Sequence, residues 1–204
     1  RIYSVLHEMD NATPASRTSH TDTFCITTSA RLVPWKGIDT LIAVVASLVK
    51  DGVPVHLNVY GDGIMRTVLE AQVRTLGVEA AVTFHGAVSR EVLARALTHA
   101  DVFVLNTSYE GLSHQLLEVM SIGVPIVTTP VGGNCELIEH EQTGLFVPYN
   151  DREKLTEALM RLREDPHLGR VLGERARAKV SVFSEGVIVG EWRTFFEGRI
   201  RHHS

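Results

Sequence analysis

Four charged residues have types and spacing that could do chemistry: Arg31 and Lys36, five positions apart, and Glu110 and Glu118, eight apart. Two carboxylates can serve as general acid and base in a hydrolase, or they can accept hydrogen bonds from neutral hydroxyls. An Arg supplies a bidentate fork and a Lys a point charge, the pair of donors that suits a pyrophosphate. The elements that position these side chains decide between the readings.

Glu110 lies where the apolar run 101–106, Asp-Val-Phe-Val-Leu-Asn, gives way to apolar residues at Leu112, Leu116 and Met120, with Leu117 beside them. That spacing is helical. A helix beginning near Gly111 puts Glu118 about two turns in, on a stripe with Gly111 and His114, and its side chain leans back toward the N-terminus. Both carboxylates then face one pocket, which also holds the helix's unpaired N–H groups and positive dipole end. An anion site beside hydroxyl acceptors points to a nucleotide sugar.

The same alternation of strand and helix runs along the chain. Strands are expected over 25–29, 55–60, 82–85, 102–106, 126–129 and 145–147. Helices are expected over 38–50, 65–76, 91–99, 112–122, 136–139, 152–163, 168–179 and 185–199, with Pro166 and Ser184 as start signals for the last two. This predicts an α/β fold, a doubly wound parallel six-stranded Rossmann-like sheet with helices on both faces and extra C-terminal helices. Residues 1–23 read as a linker and 24–204 as a nucleotide-sugar-binding domain. Within it, 184–200 form a C-terminal helix whose Ile188, Trp192, Phe195 and Phe196 either pack on this domain or dock on a preceding one.

In a sheet of order 3-2-1-4-5-6 the first and fourth strands are neighbours, and ligands bind beyond their carboxyl ends. The fourth strand leads to Glu110, and the first leads to Arg31 and Lys36, so the cations face the carboxylates. Gly61-Asp62-Gly63 has neither the dinucleotide nor the Walker spacing and reads as a turn with positive φ, or as the rim of a nucleotide pocket. Gly132 and Gly133 allow either close backbone approach to a ligand or a helix cap.

With 204 residues, 44% of them apolar, the chain can bury a full core as one domain. A net charge of -4 argues against a polyanionic partner, so no nucleic acid is expected. Cys25 and Cys135 are too few for a disulfide framework and fit a reducing compartment, which makes the expected location cytoplasmic. No apolar run approaches the roughly 20 residues that span a bilayer. The ten histidines show no metal-ligand spacing, so no metal and no cofactor is expected.

Five motifs in order extend this reading: Arg31-Leu-Val-Pro-Trp-Lys36-Gly, Gly61-Asp-Gly, Phe84-His-Gly86-Ala-Val88, Glu110-Gly-Leu-Ser-His-Gln-Leu-Leu-Glu118, and the run from Gly123 to Glu136. Together they resemble the C-terminal, donor-binding domain of retaining GT-B glycosyltransferases of family 4. The resemblance implies that Arg31 and Lys36 hold a diphosphate, Glu118 the ribose and Glu110 the donor sugar near the reacting carbon. It places Gly61, Gly111, Leu112 and Ser113 around the donor and the backbone of Val88 against the base. It also implies retention at the anomeric carbon, no metal, and an acceptor (glycan, lipid or other) carried by a second Rossmann-like domain preceding Arg1, through which the enzyme could meet a membrane surface. Ala30 replaces a frequent glycine, and Glu-Gly-Leu-Ser-His replaces the common Glu-Gly-Phe-Gly-Leu, which alters the floor of the sugar pocket. Left open are a non-catalytic nucleotide-sugar module, and a nucleotide-sugar epimerase or glycogen-type synthase on the same architecture. Loss of the Glu110 carboxylate is expected to spare nucleotide binding.

Overall fold

The strands are short runs with β-branched residues in all but the last, and alternate side chains enter cores on opposite sides of the sheet. The structure, a computed structural model, describes residues 23–186. Its strands are β1 (Phe24–Ser29), β2 (Val55–Tyr60), β3 (Val82–Gly86), β4 (Val102–Leu105), β5 (Ile126–Thr128) and β6 (Leu145–Phe146). They form one parallel sheet in the order β3-β2-β1-β4-β5-β6, the order expected from sequence. The helices are α1 (Ile38–Lys50), α2 (Arg66–Leu76), α3 (Arg90–Leu97), α4 (His114–Ile122), α5 (Asn134–Leu137), α6 (Arg152–Glu164) and α7 (Pro166–Gly186).

In β4, Val102 and Val104 point into a core shared with α1, α2 and α6, whereas Phe103 and Leu105 point into a second core with α3 and α4. This period-two division is what a parallel sheet covered on both faces requires. α7 reaches both cores, through Leu172 and Ala176. It crosses α4 so closely that a Cβ on Gly173 would lie 2.0 Å from the Gly123 carbonyl oxygen.

Most expected boundaries hold within two residues. α7 is the clear exception, since it continues to Gly186 and Ser184 therefore lies inside it instead of opening a separate helix. The aromatic stripe expected at 188–196 lies outside the described residues.

The β2–β3 end of one sheet face is polar. His56 bonds the Thr83 hydroxyl at 2.9 Å, and His85 bonds Asn58 Oδ1 at 2.8 Å while stacking on Tyr60 with ring centroids 4.3 Å apart. Burial, and secondarily the His56 ring, hold His85 below its ordinary value of 6.5. The unfolded chain therefore takes up this proton at higher pH than the folded one, and stability falls as pH drops through that window. Thermal melts at about pH 7.5, 6.5 and 5.5 should show Tm decreasing, with a shallower decrease in His85→Gln.

Candidate functional site

The loop after β1 is short and stiff. It runs through Arg31 into a 3-10 turn, Pro34–Lys36, whose first residue is the proline, and then reverses at Gly37 with φ 51° to enter α1. Lys36 closes that turn, and its ammonium donates to Glu110 Oε2 in the loop after β4. The two side chains are only 13% and 19% exposed, so the ion pair is largely shielded from water. It bridges the switch point of the sheet, where β1 and β4 are adjacent.

A cavity of about 640 Å³ opens around this pair, walled by Arg31 and Trp35 from the first loop, Tyr109 and Glu110 from the fourth, and Ser113 and His114 at the start of α4. Gly111 and Leu112 line it as well. Arg31 is exposed and, among the described residues, has no ion-pair partner. A shielded pair, an available guanidinium and a helix N-terminus on one wall can take up an anion, while Glu110 can accept from hydroxyls.

α4 begins at His114 and not near Gly111. Its cap is Ser113, whose hydroxyl accepts from the Leu116 N–H at 3.3 Å, and the His114 N–H donates to the Leu112 carbonyl at 3.1 Å. The end of the helix thus has fewer spare donors than expected, because Ser113, a strong capping residue, starts it later than the apolar spacing suggests. Ser113→Ala should cost about 1 kcal/mol of stability, measured by urea unfolding.

The other expected site residues lie further out. Glu118 does not line the cavity; it pairs with Arg90 at the start of α3, two residues after the half-exposed Val88. Gly61 takes φ 112° as a turn residue and packs under the first loop, where an added Cβ would be 2.0 Å from the Ala30 carbonyl oxygen. Gly133 is the N-cap of α5, as one expectation has it, and the pair is small for a further reason, because both residues support the fourth loop. Cβ atoms there would lie 1.8 Å from the Glu110 oxygen and 2.4 Å from the Gly111 oxygen.

Further residues hold the first loop that sequence reasoning misses. The Tyr149 hydroxyl donates to the Pro34 carbonyl at 3.1 Å, Thr107 and the Ser108 N–H donate to Trp35 at 3.2 and 2.9 Å, and Asn106 donates to Gly37 at 3.0 Å. The sequence signal for them is slight: polar residues closing an apolar strand, and Tyr-Asn-Asp in a turn. No disulfide joins Cys25 and Cys135, and no metal-ligating group of three or more His, Cys, Asp or Glu occurs among the described residues.

The family profile described as "Glycosyl transferases group 1" matches residues 10–179. The chain belongs to that family. This group 1 chain is 34% identical over 168 residues to an exopolysaccharide phosphotransferase of Streptomyces coelicolor, covering 81% of the chain and 18% of that protein. It is 31% identical over 160 residues to the alpha-D-kanosaminyltransferase of Streptomyces kanamyceticus, covering 76% of the chain and 42% of the relative. The group 1 chain thus spans less than half the length of these two curated relatives. Among solved structures, Anabaena HepE in complex with UDP and glucose superposes with a TM-score of 0.72 at 25% identity, over 78% of this chain and 44% of HepE. The parallel sheet with helices on both faces matches a GT-B Rossmann-like domain. No helix among the described residues is long and apolar enough to cross a membrane.

Proposed function

We propose that this chain binds the nucleotide-sugar donor for glycosyl transfer, as the donor half of a two-domain, retaining glycosyltransferase of the family 4 type. The observation that carries the reading is the Lys36–Glu110 pair, set with Arg31 in one cavity at the β1/β4 switch point. Lys36 and Arg31 would meet the diphosphate, and Glu110 would accept from sugar hydroxyls close to the anomeric carbon. The Arg90–Glu118 pair joins α4 to the segment carrying Val88, a fitting place for the nucleoside, with Glu118 turning to the ribose hydroxyls. The UDP and glucose bound by HepE support this choice of donor chemistry.

The leaving group in such a transfer is a nucleoside diphosphate, whose charge grows as the glycosidic bond breaks. Two cations and a helix N-terminus would offset that charge where it develops, the kind of electrostatic stabilisation that lowers such a barrier. On this reading no metal is required, and the acceptor (glycan, lipid or other) is held by a second domain. Calorimetric titration with UDP, GDP and ADP, with and without EDTA, is the test. One of the three should bind with an affinity indifferent to the chelator. Absence of binding by all three at about millimolar concentration, where even weak ligands register, would remove the reading.

A further inference from the structure

Gly37 is a glycine for two reasons, and the second points beyond the residues that meet the ligand. Its φ of 51° disfavours any side chain, and a Cβ placed on it would lie 2.4 Å from Asn106 Nδ2 and 2.7 Å from Asn150 Oδ1. The space beside residue 37 is therefore filled by two asparagines. Asn106 is 3% exposed at the end of β4. Its amide donates to the Gly37 carbonyl at 3.0 Å and to Asn150 Oδ1 at 3.1 Å, and its Oδ1 accepts from the Asn150 N–H at 3.2 Å. Asn150 in turn holds φ 57°, a left-handed conformation that asparagine tolerates better than most residues.

We propose that Asn106 and Asn150 form a clasp that positions Lys36, so that they act as positioning residues for the diphosphate end of the site. This role rests on the reading that Lys36 meets the diphosphate. Gly37 is the residue that follows Lys36, and its carbonyl is also the first acceptor of α1, taking the Leu41 N–H at 3.2 Å. Fixing that carbonyl from β4 and from the loop after β6 fixes the exit of the 3-10 turn, and with it the direction in which the lysine leaves the backbone. Both Asn106 side-chain polar atoms and Asn150 Oδ1 are used within the clasp. Removing Asn106 takes the side-chain donor from the Gly37 carbonyl, and removing Asn150 Oδ1 leaves one N–H of the buried Asn106 amide unsatisfied, so either change loosens the exit of the turn.

A double-mutant cycle on the 204-residue chain tests this, read by calorimetric titration with whichever of UDP, GDP and ADP binds the parent. Asn106→Ala should weaken that binding about tenfold in the parent but less than about twofold in a Lys36→Met background, because the two residues act as one. Asn150→Gly keeps the left-handed backbone accessible and removes only the side-chain acceptor. It should show the same coupling with Lys36→Met even where Asn106→Ala fails to fold. A merely structural role predicts equal losses in both backgrounds, and that additivity, or parental affinity in both clasp variants, overturns the proposal. Failure of the parent to bind any of the three nucleotides overturns the reading of the site itself, and the clasp's role with it.

Discussion

Gly132→Ala should lower Tm by roughly 5 to 15 °C and weaken binding of a nucleoside diphosphate at the same time. Two costs combine. The residue sits at φ 48°, where a Cβ costs on the order of 1 to 2 kcal/mol. The new atom would also lie 1.8 Å from the Glu110 carbonyl oxygen, so one of the two backbones must move, adding overpacking strain of about 1 to 3 kcal/mol. Movement of either backbone changes the support beneath Glu110, so the damage reaches the ion pair with Lys36. Gly52 is a built-in control. It has φ 76° with nothing within 4 Å of where a Cβ would sit, so Gly52→Ala carries the conformational cost alone. Differential scanning calorimetry on both variants separates the two costs. Equal shifts would show that the contact beneath Glu110 is relieved at no cost.

Glu110→Gln should bind free nucleoside diphosphate about tenfold more tightly than the parent, and Lys36→Met at least about tenfold more weakly. Lys36 is paired with the Glu110 carboxylate, so a diphosphate must win the ammonium from it and also tolerate that carboxylate nearby. Glutamine keeps the shape and an acceptor oxygen but removes the charge. Sequence alone suggests that Glu110 is indifferent to the nucleotide; the ion pair makes it an antagonist of the free diphosphate. With the intact donor the balance changes, because sugar hydroxyls can occupy Glu110 as phosphate takes Lys36. Glu110→Gln should therefore lose its preference for the nucleotide sugar over the corresponding diphosphate. Paired titrations with a diphosphate and its sugar conjugate measure both effects, and unaltered diphosphate affinity would show that Lys36 and the phosphates do not meet.

Strand order and element type are legible because they depend on local pattern. β2 and α1 match their expected bounds, and the neighbouring positions of β1 and β4 follow from the crossover logic of a parallel sheet. Arg31, Lys36 and Glu110 come together on that ground alone. What cannot be read from sequence depends on side-chain direction and on contacts between distant loops. A helix that starts at His114, behind the Ser113 cap, carries Glu118 toward Arg90, a pairing no spacing rule supplies. Gly132 reads as a ligand-facing or capping glycine, yet the close approach it permits is to another loop. Asn106 and Asn150, 44 residues apart, give no periodic signal because their partnership exists only after β4 and β6 have entered the same sheet.

The loops after β1, β4, β5 and β6 are held to one another through Gly37, Asn106, Glu110, Gly133 and Asn150. In evolutionary terms, they form one heritable module with four separate pieces of sequence. Transplanting the 106–113 segment from a relative with a different donor would carry the new contacts without the carbonyls, glycines and asparagines that they are fitted to. Altered donor choice in this scaffold should come from changes spread across all four loops, or from point changes at Tyr109, Leu112 and His114, whose exposed side chains line the cavity outside that mutual bonding.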